Sequence, residues 1–219
     1  MSRGFALLSV LWTVGLLSAV AAVLLRTVHA DLTQARTDIA LARAQAAADG
    51  EARLAILKAL GNPLLPWDGQ ARGGVIFQDE GGLVDLNSAA PAVLATLLPT
   101  PKVAAILAAR GPETAPTPFY STLDLARVPG FDAALVHRLQ PLLTVHSGQP
   151  GLDPKTAPVV LAADKLPERV RTESRHSAVR ISAQAAVDGV IAWRTADVHL
   201  TRQGGVPYRV LTWIPEGPV

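Results

Sequence analysis

Residues 5–25 form an uninterrupted run of uncharged, mostly apolar side chains that starts four residues into the chain. As an α-helix rising ~1.5 Å per residue, such a run reaches about 30 Å, the hydrocarbon thickness of a bilayer. The segment is therefore expected to cross a membrane once. A secretory signal has a shorter apolar core of about 7–15 residues closed by a small-residue cleavage site. Here the run is longer and passes directly into helix-compatible sequence. Leu32, Ala35, Ile39, Ala42, Ala46, Leu54, Leu57 and Leu60 recur at near-helical spacing, with Arg36, Asp38, Arg43, Gln45, Glu51 and Arg53 on the other faces. Gly61-Asn62-Pro63 ends the pattern. The spacing predicts one helix of about 55 residues, roughly 85 Å long, with its first half in lipid and its second half carrying a head. An uncleaved signal anchor followed by a separate helix is the alternative.

Charge narrows the partners. The whole chain has 219 residues and a formal charge of +2, and it contains no cysteine. Beyond residue 61 its 14 basic residues face 14 acidic ones. A neutral head has no electrostatic reason to seek nucleic acid or anionic lipid. Without cysteine it folds without disulfides, whatever the redox compartment. Arg3 precedes the apolar run and Arg26 follows it, so charge alone does not orient the span. The short amino-terminal side favours a cytoplasmic leader at 1–4, a span at 5–25, a continuation of the helix at 26–61 and an exported head.

The fold class expected is α+β: a long amino-terminal helix packed on a small antiparallel sheet, with an inserted helical unit of helix-hairpin-helix (SAM-like) type. Residues 62–87 read as a linker and a hairpin, in which Val75–Gln78 and Leu83–Leu86 flank Asp79-Glu80-Gly81-Gly82. Residues 88–165 read as short helices at 92–98, 102–109, 123–128, 133–143 and 157–163, separated by prolines. Residues 166–219 read as three antiparallel strands, 177–187, 190–201 and 207–214, turning at Asp188-Gly189 and Gly204-Gly205. Inside the helical part, residues 83–94 resemble residues 152–161, each placing polar residues before a proline-led apolar helix, as helix starts do.

Phe119 to Phe131 followed by 133–143 reads as a helix-hairpin-helix, whose turn can offer backbone N–H groups to DNA phosphates. Two features oppose that use. The turn has the single glycine Gly130 in place of Gly-x-Gly, and residues 79–163 hold five basic against seven acidic residues. The hairpin is therefore expected to be structural.

Taken in order, these motifs carry a family resemblance. Arg3-Gly4-Phe5-Ala6-Leu7-Leu8 with the apolar run is similar to the class III signal of type IV pilins and pseudopilins. Joined to residues 79–87, the Val128-Pro129-Gly130 turn and the terminal Tyr208-Arg209-Val210-Leu211-Thr212-Trp213 strand, the chain resembles the minor pseudopilin K family of type II secretion systems (general secretion pathway protein K) over nearly its whole length. The resemblance implies cleavage after Gly4 by a prepilin peptidase and N-methylation of Phe5. It also implies assembly with the major and other minor pseudopilins into a periplasmic pseudopilus that drives folded proteins across the outer membrane. Most pilin-like subunits carry a glutamate where this chain has Ser9, and family K members lack it. That absence suits a subunit at the tip, with no subunit above whose amine needs a counter-charge in lipid; Ser9 is equally readable as a tolerated small polar residue. The chain is shorter than relatives that bind calcium in an enlarged helical region.

Asp79, Glu80, Asp85 and Asn87 offer oxygen donors of the kind calcium takes in numbers of six to eight, but turn and cap roles account for them, and no metal site is expected. His29, His137, His146, His176 and His199 are scattered, and no nucleophile motif, phosphate loop or cofactor fingerprint is present. Ser121-Thr122 before Leu123-Asp124 reads as helix-start chemistry. No catalysis and no cofactor are expected. The apolar stripe through Leu32, Ile39 and Ala46 is the expected helix-packing interface with other pseudopilins, or else the face spent on the head's own sheet. A membrane-tethered helix-hairpin-helix DNA receptor of the competence type is the competing reading, and it calls for a basic head.

Overall fold

The computed structural model describes residues 2–62, 65–111, 115–161, 166–201 and 205–217, with side chains from residue 10 onward. One helix, α1, runs without a break from Ser2 to Gly61, 60 residues. The membrane-length run and the amphipathic continuation are thus a single rod of about 90 Å at ~1.5 Å per residue. No proline interrupts it and no glycine pair weakens it, so every interior N–H finds its carbonyl four residues back.

The head is α+β and surrounds one five-stranded antiparallel sheet in the order β1-β2-β5-β6-β7. Its strands are β1 (Asp68–Arg72), β2 (Val75–Asp79), β5 (Ala178–Val187), β6 (Val190–Leu200) and β7 (Tyr208–Ile214). The three carboxy-terminal strands lie where alternation places them, and Asp188 and Gly189 turn with φ of 51° and 80°, the left-handed pair a two-residue hairpin loop needs. Gly204 lies outside the described residues.

The amino-terminal hairpin is displaced from its expected place. Val75–Asp79 pairs with β1, not with Leu83–Leu86, and the loop is Gly73-Gly74 with φ of 59° and 81°. Asp79-Glu80-Gly81-Gly82 is instead a turn of 3₁₀ helix capped by the Asp79 carboxylate, which accepts the Gly81 N–H at 2.8 Å. The chain then leaves the sheet. Val84–Asp85 (β3) pairs in parallel with Leu143–Thr144 (β4) as a separate two-stranded ladder.

The two faces of the main sheet bury different things. Val75, Phe77, Val179, Ile181, Ala183, Ala196 and Val198 point to one face and pack against Ala52, Ala55, Ile56 and Ala59 of α1. Farther along α1, Ala44 and Ala48 meet Ala192. The helix therefore docks through an alanine stripe at 40, 44, 48, 52, 55 and 59, which lets its backbone lie close to the strands. Ile56, almost fully buried, is the one large aliphatic in that stripe and is worth about 1.5–3 kcal/mol by transfer alone. Trp213 on β7 sits between the Arg53 and Arg194 guanidiniums, 6.0 and 5.8 Å from the ring centre, and Arg194 pairs with Asp49 of α1.

The sequence connecting β2 to β5 forms a layer of short helices with its own core of Leu86, Leu94, Ile106, Leu125, Leu143 and Leu152. Its α-helices are α2 (Pro91–Leu94), α3 (Thr100–Ala109) and α4 (Ala133–Leu139); residues 122–127 and 140–142 are 3₁₀. The two arms expected around Val128-Pro129-Gly130 are thus one 3₁₀ turn and one α-helix, with Gly130 at φ 88° between them. Of the helix expected at 157–163, only 159–161 lies in described residues with helical form, as 3₁₀. Ser121 caps its turn with a full capping box involving Asp124, as expected. Ser88 does not cap α2; its hydroxyl donates to the Gln149 carbonyl, and Ala90 occupies the cap position with no side-chain bond.

Candidate functional site

The site residues expected from the sequence lie along α1. Gly4, Phe5 and Ser9 lie in its first turns, where the backbone is helical and the side chains are outside the described residues. From Val10 to Ile39 every residue of the helix is exposed, Leu11, Trp12, Leu16, Leu25 and Val28 among them. It is long and apolar enough to cross a membrane once. Leu32 and Ile39 are 51% and 54% exposed, and Ala46 is exposed as well. At seven-residue steps these three share one face, and Leu57 lies on its extension. At ~100° per residue that face is opposite the alanine stripe. The stripe through Leu32, Ile39 and Ala46 is therefore not spent on the sheet.

A second cluster, which sequence reasoning did not assemble, fastens the helical layer to the sheet's outer face. On that face β5 and β6 present Arg180, Ser182, Thr195 and Asp197. Arg180 Nε donates to Asp197 Oδ1 at 2.8 Å, and its terminal nitrogens reach the carbonyls of Gln140 (3.4 Å) and Leu143 (3.2 Å). Thr212 Oγ1 donates to the other Asp197 oxygen at 2.7 Å. Glu80, completely buried, accepts from Thr144 Oγ1. Burial, and then repulsion from Asp197, push the Glu80 carboxyl well above the usual carboxylate range. Burial alone would also raise Asp197, but the charge and hydrogen bond of Arg180 prevail and hold it low. Glu80 Oε1 is buried and has no hydrogen-bond partner among the described residues, a setting that disfavours the charged carboxylate.

The side-chain oxygens of Asp79, Asp85, Asn87 and Asp153 are engaged by neighbouring groups of the chain. Asp85 Oδ1 accepts the N–H groups of Asn87 and Ser88 at 2.7 and 3.0 Å, and Oδ2 accepts Ser147 Oγ and Gly148 N–H. Asp153 repeats the pattern, accepting Lys155 N–H at 2.9 Å and Ser174 N–H at 2.8 Å. The two similar segments are thus two aspartate-headed turns. Asn87 grips Phe119 at both its N–H and carbonyl. Asp79 is fully buried and pairs with His176, whose ring stacks on Trp67 at 5.6 Å. Among the described residues no group of three or more His, Asp or Glu is placed to hold a metal ion.

At the Gly130 turn, the Phe131 N–H donates to the Val128 carbonyl at 3.2 Å, and Lys102 binds the Gly130 carbonyl and covers the Phe131 ring at 4.8 Å. Compared with family models, curated proteins and solved structures, the chain matches none.

Proposed function

We propose that the chain is a minor pseudopilin of a type II secretion system, seated at the tip of the periplasmic pseudopilus and taking part in the export of folded proteins across the outer membrane. It does no chemistry of its own. The observation that carries this reading is the division of labour on α1. One face of its carboxy-terminal third is consumed by the head, while the opposite face exposes Leu32, Ile39 and Ala46 on a helix continuous with a membrane-length segment. A helix of that design is stable alone in lipid, and outside lipid it requires neighbouring helices to cover it.

In this reading residues 1–4 are a cytoplasmic leader, prepilin peptidase cuts after Gly4, and Phe5 is methylated. Ser9 leaves the tip subunit without the glutamate that its neighbours use. The protein is held in the inner membrane by one span with its head in the periplasm. The major pseudopilin and the other minor pseudopilins are its partners along Leu32, Ile39 and Ala46. The helical layer is the inserted helix-hairpin-helix unit put to structural use: its turn amide at Phe131 and its nearby Lys102 are already engaged, which leaves little to offer a phosphate.

The test is the intact mass and amino-terminal sequence of the membrane-extracted protein, expressed with and without a prepilin peptidase. A methylated Phe5 start only in the presence of the peptidase is expected. An uncut leader in both preparations overturns the reading and favours the tethered DNA receptor, which salt-dependent binding to duplex DNA would then identify.

A further inference from the structure

A slot of about 330 Å³ separates the outer face of the sheet from the layer of short helices. This is within the range of small-ligand sites, about 300–1,000 Å³. Its floor is polar but internally satisfied. Arg180 and Asp197 neutralise each other, Ser182 and Thr195 share a hydrogen bond of 2.8 Å, and Thr195 also donates to the Glu216 carbonyl at 2.7 Å. Its other walls are mainly apolar, with Leu142 and Val145 above and Ile76 and Ile214 at the sides. His146 also lines the slot. Its backbone N–H is bound by Thr144, whereas its ring nitrogens have no hydrogen-bond partner among the described residues. Burial lowers the ring's proton affinity, which leaves an imidazole able to donate at one nitrogen and accept at the other. At the mouth Tyr120 is 81% and Leu123 58% exposed.

These features select a ligand class. A charged group entering the slot loses its hydration and meets no uncommitted counter-charge. A purely aliphatic group leaves the imidazole desolvated without a partner. A flat ring fits between a sheet and a helical layer, and Tyr120 offers it an aromatic neighbour at the entrance. We infer that this slot binds a compact aromatic group carrying one hydroxyl or N–H, of the phenol or indole class, with His146 as its polar contact. The same chemistry comes from a free aromatic molecule or from a Tyr or Trp side chain of a partner protein. The inference does not depend on the pseudopilin reading.

The full chain in lipid nanodiscs, with labelled Ile, Leu and Val methyl groups, is titrated with p-cresol, with toluene and with a blocked Gly-Tyr-Gly peptide. Saturable shifts at Ile76, Leu142, Val145 and Ile214 are expected with p-cresol. His146→Ala should weaken p-cresol by about fivefold to tenfold, the size of one hydrogen bond, and leave toluene unchanged, which a merely structural role of His146 does not predict. Filling the slot from the floor with Ser182→Leu, or from the roof with Leu142→Trp, should abolish the shifts in whichever variant keeps the parent methyl spectrum elsewhere. Peptide binding tighter than p-cresol assigns the slot to a protein partner, and the reverse order assigns it to a free aromatic. Absence of saturable shifts, their survival in a filled and folded variant, or equal loss of p-cresol and toluene on His146→Ala overturns the inference.

Discussion

Glu80 and Asp197 share one buried pocket and one arginine, yet their carboxyls are shifted in opposite directions, so their contributions to the head's stability run oppositely with pH. The ordinary values are 4.5 for Glu80 and 3.8 for Asp197. Glu80, raised in the fold, contributes stability that is complete below 4.5 and is lost as pH rises through its folded value. Asp197, lowered in the fold, contributes stability present above 3.8 that is lost as pH falls through its folded value. Thermal melts from pH 3 to 9 should therefore show Tm declining on the alkaline side. Glu80→Gln, which keeps an acceptor for Thr144 and cannot ionise, should flatten that decline. At pH 8 it should add on the order of 1 kcal/mol, about 2–4 °C for a chain of this size. Arg180→Ala should cost about 3–5 kcal/mol, because it strands the Asp197 charge in the interior. None of this was legible in the sequence. Glu80 and Thr144 are 64 residues apart and Arg180 and Asp197 17 apart, and each alone reads as a turn, cap or strand residue.

Among the elements, the helix followed from its length of apolar and helix-forming sequence without a breaker, and the three carboxy-terminal strands from their alternation and turn residues. The hairpin did not. β1, with the sequence Asp68-Gly69-Gln70-Ala71-Arg72, is an exposed edge strand without apolar alternation, so the more apolar Leu83–Leu86 looked like the better mate for Val75–Gln78. The pairing was decided by the Gly73-Gly74 turn and by Asp79 capping its own 3₁₀ turn. On α1 the leucines caught the eye and the alanines did the docking. Two measurements separate those faces. Ala48→Leu, placed where exposure is zero, should overpack the joint and cost about 1–3 kcal/mol in melts of the whole chain. Ile39→Arg or Leu32→Arg should leave that melt within about 0.5 kcal/mol and, on the function proposed above, abolish co-purification with pseudopilins; an undiminished yield of partners would remove these positions from the proposed interface.

For the molecule as a whole, the sheet is the middle layer between a rod on one side and small helices on the other, and its two faces are chemically unlike. The helix face is apolar and alanine-lined, while the outer face carries the Glu80, Arg180 and Asp197 cluster and the slot. Composition announced the neutral head and the single apolar run, but not this three-layer arrangement, since the inserted layer is held by side chain-to-carbonyl bonds such as Arg180 to Leu143. Burial of α1 by the head begins at residue 40, and residues 10–39 are exposed. At ~1.5 Å per residue that is a lever of about 45 Å. The joint is close-packed and tied by Arg194 to Asp49, with the Arg53 and Arg194 guanidiniums near Trp213, so rod and head are expected to move as one body. A tilt of about 10° in the head sweeps the far end of the bare segment by roughly 8 Å, more than one helical pitch, so a small rocking at one end is amplified into a full step at the other.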